Sequence, residues 1–290
     1  MSSGDVVMKL ADLLAQPLVS LEIIPGGLDD WLAQGARPEF PFLLTEGNLG
    51  VPRNVLYALY LVAVAMFANR QQHQGVIAST SVILLANPAH QTALNARKRL
   101  ILRGELLAEQ ELRFTELLLR GSEECAKQSI LWDHRRWIFL RLYGAAVPPE
   151  WSGMENGWLG PLEWDNIPRM PVTVARKELN LMKRTCEIYP RNYYGWNHWR
   201  YIANVIFVGH QESGEWKQLM TDVRGELMDW VQGHVSDYTA MHHLHGLCER
   251  FGQDKGALMR QARELLTYYG AHEAVRCYGR LVGVDTRDQE

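Results

Sequence analysis

The sequence predicts an all-α protein assembled from helical hairpins that stack into a solenoid. Three observations predict it. A tryptophan-centred phrase recurs along the chain, clearest as Tyr189-Pro190-Arg191-Asn192-Tyr193-Tyr194-Gly195-Trp196-Asn197-His198-Trp199-Arg200 and as Ser129-Ile130-Leu131-Trp132-Asp133-His134-Arg135-Arg136-Trp137. Between the copies, apolar residues fall at helical spacing. No stretch alternates apolar and polar residues for long between turn dipeptides, as strands would. Fixed-period self-similarity makes each copy one supersecondary unit that cannot bury its apolar face alone, so neighbours must stack.

The first fifty residues, broken by Pro17, Pro25-Gly26-Gly27, Pro38 and Pro41, read as an irregular arm with one short helix near Val7 to Leu14. The repeat array then occupies residues 51–285. It opens with the apolar run Val55 to Ala68, whose 14 residues are too few for a membrane span of about 20 and predict a buried helix. Weaker copies of the phrase follow from Asn87-Pro88 to Lys98, from Ser236-Asp237-Tyr238 to His243, and from His272-Glu273 to Arg280.

Aligned together, the five copies have anchors Leu94, Trp132, Trp196, Met241 and Arg276, spaced by 38, 64, 45 and 35 residues. The short spacings fit one hairpin each, and the long one requires an insertion. The segment between Val147 and Pro171 supplies it: eight Pro and Gly residues interrupt any helix there, and Trp151, Trp158 and Trp164 favour packing against the array. Returning helices show buried stripes, most cleanly at Trp216, Leu219, Met220, Val223, Leu227, Trp230 and Val231, then at Leu258, Ala262, Leu265, Leu266 and Tyr269, and at Leu107, Phe114, Leu117 and Leu118.

Composition sets limits on function. A net charge of −3 gives no global field for nucleic acid or an anionic membrane. The basic run Arg97-Lys98-Arg99 therefore needs its own explanation. Four scattered cysteines without a C-x-x-C pair suit a reducing, cytoplasmic compartment and argue against a thiolate zinc site. The start of the chain lacks the basic region of a secretory signal. His242-His243-x-His245 lacks the H-E-x-x-H arrangement, so no metal is expected in this chain.

Within the phrase, Trp132 and Trp196 read as packing anchors. Asn192 is placed to cap the following helix, because its side-chain oxygen can accept from a free N–H of the first turn. The recurring basic residues His134, Arg135, Arg136 and His198 suggest either a ladder between repeats or a surface offered to a partner, since a buried guanidinium must be paired.

The pattern Pro-x-Asn-Tyr-x-x-Trp-x-x-Arg resembles the repeat of protein prenyltransferase alpha subunits, strongly at residues 189–202 and, in its Trp-x-His-Arg-Arg half, at residues 129–140; the likeness extends over residues 42–282. The irregular first, fourth and fifth copies are more similar to a divergent branch of that family than to farnesyltransferase alpha subunits. The resemblance implies a right-handed α-α superhelix wrapped around a catalytic beta subunit of the Rab geranylgeranyltransferase kind. That partner would carry the zinc and the isoprenoid cavity, leaving no cofactor in this chain and no activity without the partner. It implies geranylgeranyl transfer to a cysteine near the C-terminus of a cytosolic SNARE-type acceptor. Lys127, five residues before Trp132, would approach the leaving diphosphate, although Gln128-Ser129 replaces the family's Asn-Tyr lead-in. Arg191, Asn192, Tyr193 and Tyr194 would face substrate, with Tyr194 replacing a common histidine. Two other readings stand beside this one: a tetratricopeptide-like scaffold without enzymatic role, and an ordinary farnesyltransferase or type I geranylgeranyltransferase alpha subunit.

Overall fold

A computed structural model of the chain describes residues 2–25, 39–69, 73–144, 167–210, 213–252 and 255–284. The chain divides into two compact units, residues 1–142 with 187–189, and residues 143–186 with 190–290. Helix dominates both, as the sequence predicts.

The first unit begins with α1 (Ser3–Leu14), started by a capping box in which the Ser2 hydroxyl accepts from the Asp5 N–H and the Asp5 carboxylate accepts from the Ser2 N–H. Strands β1 (Ser20–Ile24), β2 (Leu43–Thr45) and β3 (Asn48–Pro52) then form a sheet of order β1-β3-β2. The stretch expected to be an irregular arm thus holds a sheet as well as the expected helix. Strands β2 and β3 are antiparallel across the two residues Glu46 and Gly47, whose φ values of 51° and 78° match the twist of a tight hairpin, while β1 joins β3 in parallel.

Two helices follow, α2 (Arg53–Asn69) and α3 (His73–Ala86), which pack on each other and on α1. The long apolar run is only half a buried helix. Leu56, Leu59, Ala63 and Phe67 lie in the core, but Tyr57 and Leu61 are exposed, because one face of α2 meets no other described element closely. The unit continues through α4 (Gln91–Leu102), α5 (Ala108–Gly121), the short α6 (Glu123–Ala126) and α7 (Ser129–Tyr143). The end of α5 closes tightly on β1: Arg120 Nη2 donates to the carbonyls of Leu18 and Val19, and a Cβ on Gly121 would stand 2.7 Å from the Leu21 carbonyl oxygen.

The second unit comprises α8 (Val172–Ile188), α9 (Tyr193–His210), α10 (Gly214–Gly233), α11 (Tyr238–Arg250), α12 (Lys255–Tyr269) and α13 (Glu273–Val282). Helix α10 packs between α9 and α11, and α13 packs on both α11 and α12. The stripe expected on α10 is buried at Trp216, Leu219, Met220, Val223, Leu227 and Val231, with Trp230 half-buried. On α12 the buried face includes Leu258, Ala262, Leu265 and Leu266, whereas Tyr269 is exposed. The tryptophan-rich insertion with Trp151, Trp158 and Trp164 lies outside the described residues, apart from its end, where Ile167 and Met170 are buried. Among the described residues no helix is long and apolar enough to cross a membrane.

Candidate functional site

Each copy of the phrase forms the second helix of a hairpin: α4, α7, α9, α11 and α13. Four of the five anchors, Leu94, Trp132, Trp196 and Met241, are 1% exposed. The fifth is corrected by one residue. Arg276 is half-exposed and pairs with Glu273 at 2.9 Å, and the buried apolar residue is its neighbour Val275.

The tryptophans do more than fill space. Trp132 Nε1 donates to the Ala126 carbonyl at 2.9 Å, which pins the turn just before Lys127. Trp196 Nε1 donates instead to Asp237 Oδ2 at 3.3 Å, and Trp230 Nε1 reaches the same oxygen at 3.4 Å. Asp237 is the N-cap of α11, its other oxygen accepting from the Ala240 N–H at 3.2 Å. Trp196 therefore fixes the start of the next copy rather than its own. The lead-in of its own helix is held by Asn192, fully buried, whose Oδ1 accepts from the Gly195 N–H at 3.0 Å.

In copies two and three the side chain two residues after the anchor is polar, turns to the other side of the helix, and meets an acid on the first helix of the same hairpin; in copy five Tyr278, three residues after Val275, meets an amide there. In copy two, His134 Nε2 lies 2.7 Å from Glu111 Oε1 on α5. In copy three, His198 Nε2 lies 3.0 Å from Glu178 Oε2 on α8. In copy five, the Tyr278 hydroxyl donates to Gln261 Oε1 on α12 at 3.2 Å, and Gln261 Nε2 donates to the Met228 carbonyl. All six side chains are buried. His134, Arg135 and His198 are thus buried and bonded within their own hairpins, so they form neither an exposed surface nor a ladder from one repeat to the next.

Glu111 is the most heavily charged of these rungs. Arg97 of copy one donates from Nε to both carboxylate oxygens at 2.9 Å and from Nη2 to Oε2 at 2.6 Å, while its Nη1 reaches Thr80 and Ser81 hydroxyls at 3.0 Å. Burial by itself would raise the Glu111 pKa, but the charge of Arg97 and hydrogen bonds from His134 and Arg97 outweigh it and pull the pKa down to about 2. Arg135 lies beside this rung, donating to the Leu112 carbonyl at 2.7 Å and the Thr115 hydroxyl at 2.8 Å. The basic run of copy one divides accordingly. Arg97 belongs to the Glu111 rung, Lys98 lies over the Trp137 ring, and Arg99 is exposed in the last turn of α4, where positive charge suits the helix dipole. Sequence reasoning missed Glu111, Glu178 and Gln261. Their signal is a polar residue inside an apolar stripe, as Glu178 stands with Ala175, Met182 and Thr185.

The residues expected to face substrate fall in different surroundings. Lys127, in the first unit, is part-exposed and its Nζ donates to Glu124 Oε1 at 2.6 Å; that hydrogen bond raises its pKa. Arg191 to Tyr194 lie in the second unit. Arg191 is exposed with φ of 57°, Tyr193 is exposed, and Tyr194 is half-buried with its ring edge-on to Tyr193 at 5.4 Å. Arg136 stands on the surface beside Asp133 at 3.3 Å. Among the described residues no cluster of three His, Cys, Asp or Glu side chains is arranged to hold a metal.

Residues 175–205 match the family model described as protein prenyltransferase alpha subunit repeat, which covers most of α8 and α9 and hence the Glu178–His198 rung. The chain is 28% identical over 222 residues to protein prenyltransferase alpha subunit repeat-containing protein 1 of Danio rerio, covering 74% of this chain and 48% of that protein. The Homo sapiens protein of the same name is 28% identical over 209 residues, 70% of this chain and 48% of its own length. Through that repeat the chain is similar to proteins named for the protein prenyltransferase alpha subunit repeat. It spans about half the length of the curated relatives it matches. The matched repeat is a hairpin with a buried anchor, Trp196, on one side of its second helix and a polar rung, Glu178–His198, on the other.

Proposed function

We propose that this chain is the alpha-type, non-zinc subunit of a heterodimeric protein prenyltransferase. Its partner is a beta subunit of the Rab geranylgeranyltransferase kind, and the reaction is geranylgeranyl transfer to a cysteine near the C-terminus of a cytosolic SNARE-type acceptor. The reading is carried by the repeat at residues 175–205 and by its likeness to relatives named for that repeat. In the transfer, the acceptor sulfur bonds to C1 of the prenyl chain as the C1–O bond breaks and diphosphate departs with growing negative charge. Fixed cations near that charge favour the transition state. Lys127 and Arg191 are this chain's contribution, and zinc belongs to the beta subunit. A second lipid on an acceptor that already has one converts marginal membrane attachment into stable anchoring.

One observation favours the scaffold reading: the Lys127 ammonium is already engaged by Glu124, which reduces what it can offer a diphosphate. Co-expression with the beta subunit, followed by transfer of labelled geranylgeranyl diphosphate, separates the two. The enzyme reading expects a stable heterodimer, no turnover by this chain alone, and loss of turnover with Lys127→Ala and Arg191→Ala while the heterodimer persists. Unchanged turnover in the double variant removes these positions from the site. Failure to form any complex removes the subunit assignment.

A further inference from the structure

In the second unit the motif helices α9, α11 and α13 share a face on which Tyr278 is the one rung residue. Tyr193, Asn197 and Arg200 lie on it at i, i+4 and i+7; Tyr238 and His242 continue it on α11, and Cys277 and Leu281 on α13. These residues line an open cavity of about 560 Å³.

Its composition is that of a binding surface. Tyr193 and Tyr238 are 65% and 60% exposed, unusual for large aromatics, and Leu281 is also exposed. The floor is built from Trp196, Met241 and Tyr278, all about 1% exposed and held by the core. Arg200 stands at the rim, exposed, with no hydrogen bond or ion pair to any described residue. Its positive charge adds to burial and His242 in lowering the pKa of His243 beneath it. Among the described residues the carboxylates beside the groove are already engaged: Glu273 by Arg276 and Arg280, and the buried Asp237 by the Trp196 and Trp230 indoles and the Ala240 N–H. The groove therefore presents an apolar floor, two phenol rims and one uncompensated cation.

We propose that this groove docks a segment of a partner protein that carries an acidic residue next to a bulky apolar side chain. The apolar side chain enters between Tyr193 and Tyr238, and the carboxylate pairs with the Arg200 guanidinium. Charge complementarity selects the acid, because Arg200 is the groove cation left without a counter-ion among the described residues. The openness of the rim selects a peptide over a small molecule: small-ligand pockets enclose most of their ligand, whereas rims this exposed leave one side of an occupant in water. Tyrosine and arginine are also the side chains that most often dominate protein interfaces. The inference does not depend on prenyl transfer and applies equally to a scaffold.

The test pans a phage-displayed random octapeptide library on the full chain and measures enriched peptides by fluorescence polarisation. Peptides pairing an acidic with an aromatic or aliphatic residue are expected, weakened at least tenfold by Arg200→Glu and by Tyr238→Ala, with unchanged far-UV circular dichroism showing that both variants fold. No enrichment, enrichment of basic or purely polar peptides, or binding insensitive to both substitutions overturns the proposal. So does a dimer in analytical ultracentrifugation that Arg200→Glu dissociates, which would assign the groove to a second copy. Binding of the apolar anion anilinonaphthalene sulfonate in this groove, with no peptide selected, would overturn it in favour of a small ligand.

Discussion

Replacing Glu111 with glutamine tests whether its buried polar rung holds the first unit together. The side chain keeps its shape but loses its charge, and Arg97, 2% exposed, is left without a counter-ion. Removing one partner of a buried ion pair costs about 3–5 kcal/mol, chiefly because the other charge stays buried. The depressed pKa gives a similar figure. A fall from 4.5 to about 2 corresponds to roughly 3 kcal/mol of preference for the ionised form. Against a total stability on the order of 5–15 kcal/mol this is a large fraction, and it lowers the melting temperature by roughly 6–15 °C. Thermal and urea melts followed by circular dichroism measure it. A second variant, Glu111→Leu with Arg97→Met, removes both charges and is expected to regain most of the loss, since paired apolar replacements of similar size are often close to neutral. A loss below about 1 kcal/mol in Glu111→Gln, or a double variant no more stable than the single one, would refute the reasoning.

His243, pressed against the Trp196 ring at 5.2 Å, has its pKa lowered to about 3 by burial first and by His242 and Arg200 next. Below pH 6.5 the unfolded chain takes up a proton that the folded one refuses, so stability falls as pH drops from 6.5 towards 3, by up to about 1.4 kcal/mol per pH unit. His243→Phe is expected to flatten urea-melt stability between pH 6.5 and 5, and parallel profiles for the two proteins would sink the idea. For Glu111 the loss on acidification comes lower, between about pH 4.5 and 2, because the unfolded carboxyl binds its proton first and the folded one follows only near pH 2. Arg191→Gly relieves a left-handed residue and is expected to leave the urea midpoint unchanged or raise stability by up to about 1 kcal/mol; a clear destabilisation would mean that the Arg191 side chain has a structural contact. Gly121→Ala sets a methyl against the Leu21 carbonyl and is expected to cost about 1–3 kcal/mol in the same melts, whereas a neutral result would show that β1 yields easily.

Much of this architecture is legible in the sequence because burial repeats. The α10 stripe, the Trp132 and Trp196 anchors and the Asn192 cap each follow from spacing and residue type. The features that escape do so for physical reasons. Strands β1 to β3 are three to five residues long, too short for alternation to show, and their pairing depends on chain brought together from residues 20–52. The exposed side of α2 is hidden because an unbroken apolar run has no polar face to reveal which side lacks a partner. Glu111, Glu178 and Gln261 look like surface residues until the partners that neutralise them arrive from another helix. In copy five no large aromatic marks the anchor, so the alignment slides from Val275 to Arg276.

The polar rungs also differ chemically from copy to copy. One sets a carboxylate against a guanidinium and an imidazole, one a carboxylate against an imidazole, and one an amide against a phenol. Solenoids whose repeats meet only through apolar surface tolerate gain, loss or exchange of a unit, since any neighbour suits any other. Here a single helix cannot be exchanged alone: the Glu111 helix moved in front of α13 would set a carboxylate in the core against a phenol, with neither Arg97 nor His134 to meet it. The two helices of a hairpin are thus matched to each other in buried polar atoms, and the Arg97–Glu111 pair extends that matching from the first hairpin to the second.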